Sequence, residues 1–82
     1  MATTKQDIKE WLLRGKKEGA THVIVVCDTF EYDDYPVMVM PKDNIVEKIE
    51  EYNGKNMQRI MEVYNLSMDL EKQLDSGRSY NL

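Results

Sequence analysis

An acidic and aromatic turn at residues 31–35, with the sequence EYDDY, carries the densest group of chemically active side chains in the chain. Its carboxylates are of the kind that performs acid–base catalysis or binds Mg²⁺ or Ca²⁺. Carboxylates on a turn outside a rigid cleft seldom hold catalytic geometry, so we assign neither a catalytic residue nor a metal ligand. Tyrosine offers a large contact area at a low cost in conformational entropy, which favours recognition. We predict that Tyr32 and Tyr35 bind a ligand and that Asp33 and Asp34 contact a partner.

A second group of candidate residues lies in YNGKNMQR at residues 52–59, where a glycine turn is predicted to lead into a helix. The unpaired backbone N–H groups at a helix N-terminus attract anions such as phosphate. We therefore predict that Lys55, Asn56 and Arg59 bind a small anionic ligand. The alternative is an ordinary turn between two helices with a solvated lysine, and the spacing is not that of a P-loop.

The single histidine and the single cysteine are His22 and Cys27. Because they stand five positions apart in a predicted strand, their side chains lie on opposite faces, which excludes a nucleophile and base pair within one subunit. These two residues also do not supply a zinc site, and one cysteine cannot form an internal disulfide. Cys27 is predicted to be a small buried apolar residue. Since no nucleophile, base and orienting group converge, we predict that the protein is not an enzyme and has no cofactor.

The composition indicates one small domain and restricts its partners. The chain has 82 residues and a formal net charge of −4. A domain of this size buries only about 60 to 65% of the surface that its unfolded chain exposes, so oligomerisation is an expected supplement. An acidic chain lacks the basic face that general nucleic-acid binding requires. No stretch reaches the roughly 20 apolar residues of a membrane span and no secretory signal is recognised, so we expect a soluble cytoplasmic domain that does not bind membranes.

The first segment predicts a helix over about residues 5–18, because its apolar residues recur at helical spacing. Thr3 or Thr4 is the expected N-cap, and Gly19 suits the left-handed position after the helix end. Gly15 inside this helix costs about 1 kcal/mol relative to alanine. Close packing against this position or the approach of a ligand would explain why a glycine stands here. The alternative is that the helix simply tolerates the glycine.

Two strands are predicted to follow as a β-hairpin. Residues 23–26, VIVV, are apolar at every position, which is typical of a strand covered on both faces. Residues 37–40 form the second strand. Pro36 is expected at the start of this strand or at an open edge of the sheet, because proline cannot donate a backbone hydrogen bond.

The second half of the sequence predicts two further helices. One places Ile45, Ile49 and Tyr52 on a single face, and the other runs from about Asn56 to Leu74. The last helix would carry two apolar stripes, of which a small core covers only one. We therefore assign to partner binding three leucines of the second stripe, Leu66, Leu70 and Leu74.

The resulting prediction is a single α+β domain with the order α-β-β-α-α and a frayed tail at about residues 76–82. A two-stranded sheet is marginal alone, so another element must complete it. Either the tail adds a short strand or two subunits combine, and we favour a homodimer because the surplus leucine stripe indicates the same.

Two stretches of this sequence, ATHVIVVCDTF with the following DDYPV, and NMQRIMEVY, resemble a family of short uncharacterised proteins encoded by tailed bacteriophages and prophages. The likeness extends over most of the chain. It implies no fold, activity or site residue, but it implies a context, because small phage proteins often bind and disable a host factor or an immune signal.

We predict a non-enzymatic phage-type protein of the host cytoplasm that acts in counter-defence by sequestering a small anionic ligand, such as a nucleotide immune signal. The alternative is an inhibitor that binds a host protein directly. One form of that alternative uses the acidic second helix, with Glu47, Glu50 and Glu51, to imitate nucleic-acid phosphates. A role in virion structure or assembly is a further alternative.

Overall fold

A computed structural model describes residues 3–54, 57–75 and 79–82. The described chain confirms an α+β domain with three helices and a three-stranded antiparallel sheet. The elements in chain order are α1 (Lys5–Glu18), β1 (His22–Asp28), β2 (Asp33–Val39), α2 (Ile45–Tyr52), β3 (Gln58–Asn65) and α3 (Leu70–Asp75). No helix in these described ranges is long and apolar enough to cross a membrane.

Helix α1 begins and ends as its sequence predicts. The hydroxyl of Thr4 accepts from the backbone N–H of Asp7, and the carboxylate of Asp7 accepts from the backbone N–H of Thr4, each at 3.1 Å. These two bonds satisfy N–H groups that the first helical turn leaves without partners. At the other end Gly19 has φ of 83°, a left-handed conformation that glycine adopts without a steric penalty.

The sheet has the order β2-β1-β3, so β1 is its central strand. Val23 and Val25 face a cluster that contains side chains of α1 and α3. Ile24 and Val26 face a second cluster, against which side chains of α2 pack. The prediction that this strand is covered on both faces is confirmed, and the cover comes from helices of the same chain.

Strand β2 lies at one edge of the sheet, and Pro36 sits in the middle of it, opposite Val25. The prediction of an edge position for this proline is confirmed. Because proline offers no backbone N–H, it interrupts the row of groups through which another strand would pair with this edge.

Residues 58–65 form strand β3, so the prediction of a long helix over this segment is wrong. The pairing with β1 shifts between Val25, which lies opposite Glu62, and Val26, which lies opposite Ile60, so β3 contains one extra residue, Met61, at this point. This bulge places Ile60 and Val63 on the same face although they are three positions apart. A spacing of three is also that of a helical face, which explains the error.

The prediction that three leucines form an exposed stripe for partner binding is also wrong. Leu66 and Leu74 are buried, and Leu70 packs against the same core cluster as α1. Leu66 lies after β3 rather than on a helix, so the three leucines are not a stripe of one long helix. They serve as core residues that join the end of β3 and the short helix α3 to α1.

The sheet gains its third strand within the chain, and the leucine stripe is absorbed into the core. The incomplete sheet and the surplus leucine stripe, which favoured a dimer, are therefore both explained within one subunit. Self-association stays a prediction. Of the predicted frayed tail, residues 76–78 lie outside the described residues. Ser79 is buried, and Tyr80 forms a bridge with Val63 at the open side of β3, so residues 79–82 lie against the fold.

Candidate functional site

The turn between β1 and β2 is closed by Asp28, the last residue of β1. Its carboxylate accepts from the backbone N–H of Phe30 at 2.8 Å, and its backbone carbonyl accepts from the N–H of Tyr32 at 2.6 Å. A carboxylate that satisfies backbone donors two residues ahead is a standard means of holding a turn. The turn is therefore an ordered part of the molecule.

A second connection joins this turn to the segment before β3. Both the backbone N–H and the hydroxyl of Thr29 donate to the carbonyl of Met57, at 2.7 Å and 2.6 Å. Two hydrogen bonds to one carbonyl hold residues 28 positions apart in sequence at the same end of the sheet. We call this end the sheet tip and define it by its three large apolar side chains, Phe30, Tyr32 and Met57.

Tyr32 and Met57 both have φ of 60°, and they are the non-glycine residues of the described chain with positive φ. Such a conformation costs bulky residues roughly 1 to 2 kcal/mol. Strained backbone of this kind concentrates at functional sites, where the neighbouring structure holds it in place. Both strained residues of the described chain lie at the sheet tip.

The three side chains of the sheet tip are open to solvent. Phe30 is 70% exposed, Tyr32 76% and Met57 58%. Tyr32, predicted as a ligand residue, is placed at this surface. Sequence reasoning did not select Phe30 or Met57. The sequence did contain a signal that Phe30 is exposed, since a phenylalanine among turn-forming acidic residues is far from the core. It contained no such signal for Met57, which was assigned to a helix.

The predicted anion site is not formed as expected. Lys55 and Asn56 lie outside the described residues. Arg59 is exposed on strand β3, not in the first turn of a helix, so the helix N-terminus on which the prediction rested is absent from the segment that begins at Gln58. Tyr35 is half-buried on the α2 side of the sheet, and its hydroxyl accepts from the side-chain amide of Gln58. Burial raises the pKa of Tyr35, which packs as part of the fold.

A row of three side chains crosses the sheet beside the tip. In the strand register Asp34 and Arg59 both lie opposite Cys27, so the three residues share one face. Cys27 is half-buried, which corrects the prediction that it is a buried residue, because this position lies near the end of β1. Burial and the neighbouring carboxylate of Asp34 raise the pKa of the Cys27 thiol, which disfavours the reactive thiolate.

The two aspartates predicted to lie in the turn are the first residues of β2. Asp33 is exposed and Asp34 is half-buried, and both lie in β2. Within residues 3–54, 57–75 and 79–82, no three side chains of the histidine, cysteine, aspartate or glutamate types are arranged to hold a metal ion. The carboxylates therefore contribute negative charge around the tip without forming a chelating group.

A separate pocket of about 350 Å³ lies at the opposite end of β1, where His22 begins the strand. It is lined by Lys16, Ala20, Thr21, His22, Asn65, Leu66 and Ser67. The hydroxyl of Thr21 donates to the carbonyl of Val39 at 3.1 Å and lies 2.9 Å from Nδ1 of His22, with which it forms a hydrogen bond. Nε2 of His22 is buried and has no hydrogen-bond partner within the described chain.

Burial lowers the pKa of His22, and the backbone carbonyl of Leu82 acts in the opposite direction. The histidine is therefore mainly neutral at pH 7. The positive charge at this pocket comes from Lys16, which lies exposed in the last turn of α1.

These elements define a small α+β domain with an ordered, exposed apolar tip at one end of its sheet. Comparison with protein-family models, with curated proteins and with solved structures finds no match.

Proposed function

We propose that this protein is a non-enzymatic binding protein that captures a partner protein through its sheet tip. The observation that carries the proposal is the exposure of Phe30, Tyr32 and Met57 at one end of the sheet. Aromatic side chains and methionine are enriched at protein–protein interfaces, where they supply most of the binding free energy.

The construction of the tip supports this function. Thr29 fixes Met57, and Asp28 fixes the backbone of Phe30 and Tyr32, so the surface is largely ordered before a partner arrives. A preorganised surface loses less conformational entropy on binding than a flexible one. The resemblance to short phage proteins would give such capture a role in disabling a host protein, which is the direct-inhibitor alternative derived from the sequence.

The test is capture from bacterial lysate with the immobilised protein, comparing wild type with the double variant Phe30→Ser/Tyr32→Ser. We expect the variant to lose a specifically retained protein by about tenfold or more, because truncating central aromatic contacts costs at least about 1.4 kcal/mol. The tip residues are outside the core, so the far-ultraviolet circular dichroism spectrum should be unchanged.

The matched control is Leu13→Ser/Val46→Ser, which removes two apolar side chains, each 51% exposed, from α1 and α2. This control should retain the partner as well as wild type does. Equal retention by the tip variant, or equal loss in the control, would show that the tip does not carry the binding.

A second candidate function, capture of a small anionic ligand, is favoured by the pocket beside His22. This pocket places the cation Lys16, which can bind phosphate oxygens, beside the polar side chains of Ser67 and Asn65. The Ser67 hydroxyl donates to Oδ1 of Asn65 at 2.6 Å, so Lys16 is the group that this pocket offers to an anion. The ligand class is the one expected from the sequence, although the site lies elsewhere than predicted.

For this candidate we expect inorganic phosphate, nucleotides or cyclic dinucleotides to raise the melting temperature. A ligand at about 100 times its Kd stabilises the native state by about 2.7 kcal/mol. Lys16→Gln should reduce the shift, while Lys42→Gln, at an exposed position outside the pocket, should not. An unchanged melting temperature for all of these compounds would dismiss the small-ligand function.

A further inference from the structure

We infer that the partner protein presents arginine and lysine side chains to the sheet tip. This inference rests on the proposed function and names the chemistry of the surface that the tip recognises. Its basis is the charge distribution of the described chain.

The carboxylates around the tip are not neutralised by ion pairs. Glu31 and Asp33 are exposed, Asp34 is half-buried, and none of the three lies within 4.0 Å of a described cationic group. The ion pairs of the described residues all lie on the helices, between Lys5 and Asp75, Lys9 and Glu71, Arg14 and Glu18, and Lys48 and Glu51. The helices therefore pair many of their charges, whereas the described carboxylates around the tip are unpaired.

Arg59 is the described cation nearest in register to these acids. It lies two strands away from Asp34, with Cys27 between them, and forms no ion pair with Asp34. Among the described residues, this one arginine does not balance the three carboxylates at residues 31, 33 and 34. A surface with this excess repels anionic partners such as nucleic acid and attracts cationic ones.

The side chains at the tip also match the guanidinium group in shape and chemistry. A guanidinium stacks on an aromatic face and at the same time donates hydrogen bonds to a carboxylate. Phe30 and Tyr32 alternate along the turn with Glu31 and Asp33, so aromatic rings and carboxylates are interleaved over four consecutive residues. An apolar patch bordered by unpaired acids therefore selects a protein face that is apolar at its centre and basic at its border.

The inference can be tested without knowing the partner, by selecting binders of the wild-type protein from a library of displayed random peptides. The enriched peptides should be rich in arginine and lysine together with apolar residues. They should bind Phe30→Ser/Tyr32→Ser at least about tenfold more weakly than wild type.

The charge itself is tested with Glu31→Gln/Asp33→Asn/Asp34→Asn. The matched control is Glu47→Gln/Glu50→Gln/Glu51→Gln on α2, which changes the net charge by the same amount at exposed positions. We expect the tip variant to weaken peptide binding about tenfold and the α2 control by less than about twofold, since solvent screens distant charges. Added salt should weaken wild-type binding and have little effect on the tip charge variant.

The outcomes separate this inference from the proposed function. Enriched peptides that are neutral or acidic but still depend on Phe30 and Tyr32 overturn the basic partner and leave the binding tip in place. Peptides that bind the Phe30 and Tyr32 variant as well as wild type, or the absence of any peptide dependent on the tip, overturn both. If sedimentation shows self-association that the tip variant abolishes, the occupant is a second copy of this chain and the inference of another basic protein is wrong.

Discussion

Replacing Gln73 by alanine is expected to lower the free energy of unfolding by about 2 to 4 kcal/mol. Gln73 is only 4% exposed, and its side chain connects three segments. Its Oε1 accepts from the backbone N–H of Asn65 at 2.8 Å and from the side-chain amide of Asn81 at 3.0 Å. Its Nε2 donates to the backbone carbonyls of Asn65 at 2.9 Å and Asp69 at 3.2 Å.

The expected effect is large because alanine removes one side of every one of these bonds. The N–H of Asn65, at the end of β3, would lose its partner in a part-buried region, and a buried unsatisfied polar group costs about 1 to 3 kcal/mol. The carbonyl of Asn65 would lose one of its two donors and keep the backbone N–H of Met68 at 3.1 Å. The tail would lose its contact through Asn81 as well. Loss of Gln73 therefore weakens the attachment of both α3 and residues 79–82 to β3.

Chemical denaturation followed by circular dichroism measures this effect. Gln6→Ala on the exposed surface of α1 is the control, and we expect a change within about 0.5 kcal/mol there. Gln73→Glu keeps an acceptor oxygen in place of Oε1 but replaces the donor Nε2 by a second acceptor, so we expect it also to destabilise the protein. A Gln73→Ala protein as stable as the Gln6→Ala control would contradict the connecting role.

Replacing Gly15 by valine is expected to destabilise the protein by about 2 to 3 kcal/mol, and by alanine less, about 1 to 2 kcal/mol. A methyl group on Gly15 would lie 2.9 Å from Cγ2 of Val23, 3.1 Å from Sδ of Met38 and 3.2 Å from Cδ1 of Leu66. The first of these distances is too short for carbon atoms, and Val23 belongs to the central strand and cannot easily move. Glycine at this position lets α1 approach the sheet closely.

The sign of the change in unfolding free energy on Gly15→Ala distinguishes an effect of packing from an effect of helix propensity. Propensity alone predicts that Gly15→Ala stabilises α1 by about 1 kcal/mol. The control Lys17→Ala, at an exposed position of the same helix, should change the stability by less than about 0.5 kcal/mol. Thermal or chemical denaturation in which Gly15→Ala is more stable than wild type would show that this glycine is merely tolerated.

Features with a short-range cause were predicted from the sequence. The N-cap at Thr4, the stop at Gly19 and the apolar run of β1 depend on neighbouring residues, and the structure confirms all three. The edge position of Pro36 follows in the same way from its missing backbone N–H.

The error over β3 has a specific cause. An extra residue at Met61 changes the alternation of a strand into the spacing of three that also characterises a helix. Once residues 58–65 were assigned to a helix, Leu66, Leu70 and Leu74 became a surplus stripe and Arg59 became a helix N-terminal residue. The predicted helix N-terminus beside Arg59 and the predicted leucine stripe were both wrong for this one reason.

The sequence by itself determined the α+β class, the hairpin, the bounds of α1 and the requirement that β1 be covered on both faces, because these depend on local backbone preferences and on the burial of apolar side chains. Only the tertiary structure decided how that cover is supplied, by pairing β3 with β1 and placing α1 and α2 on opposite faces. It alone brought Met57 to the turn that holds Phe30 and Tyr32, through the two hydrogen bonds of Thr29. The physical reason is that pairing between residues distant in the sequence depends on register, and a single bulge changes the register without a distinct local signal.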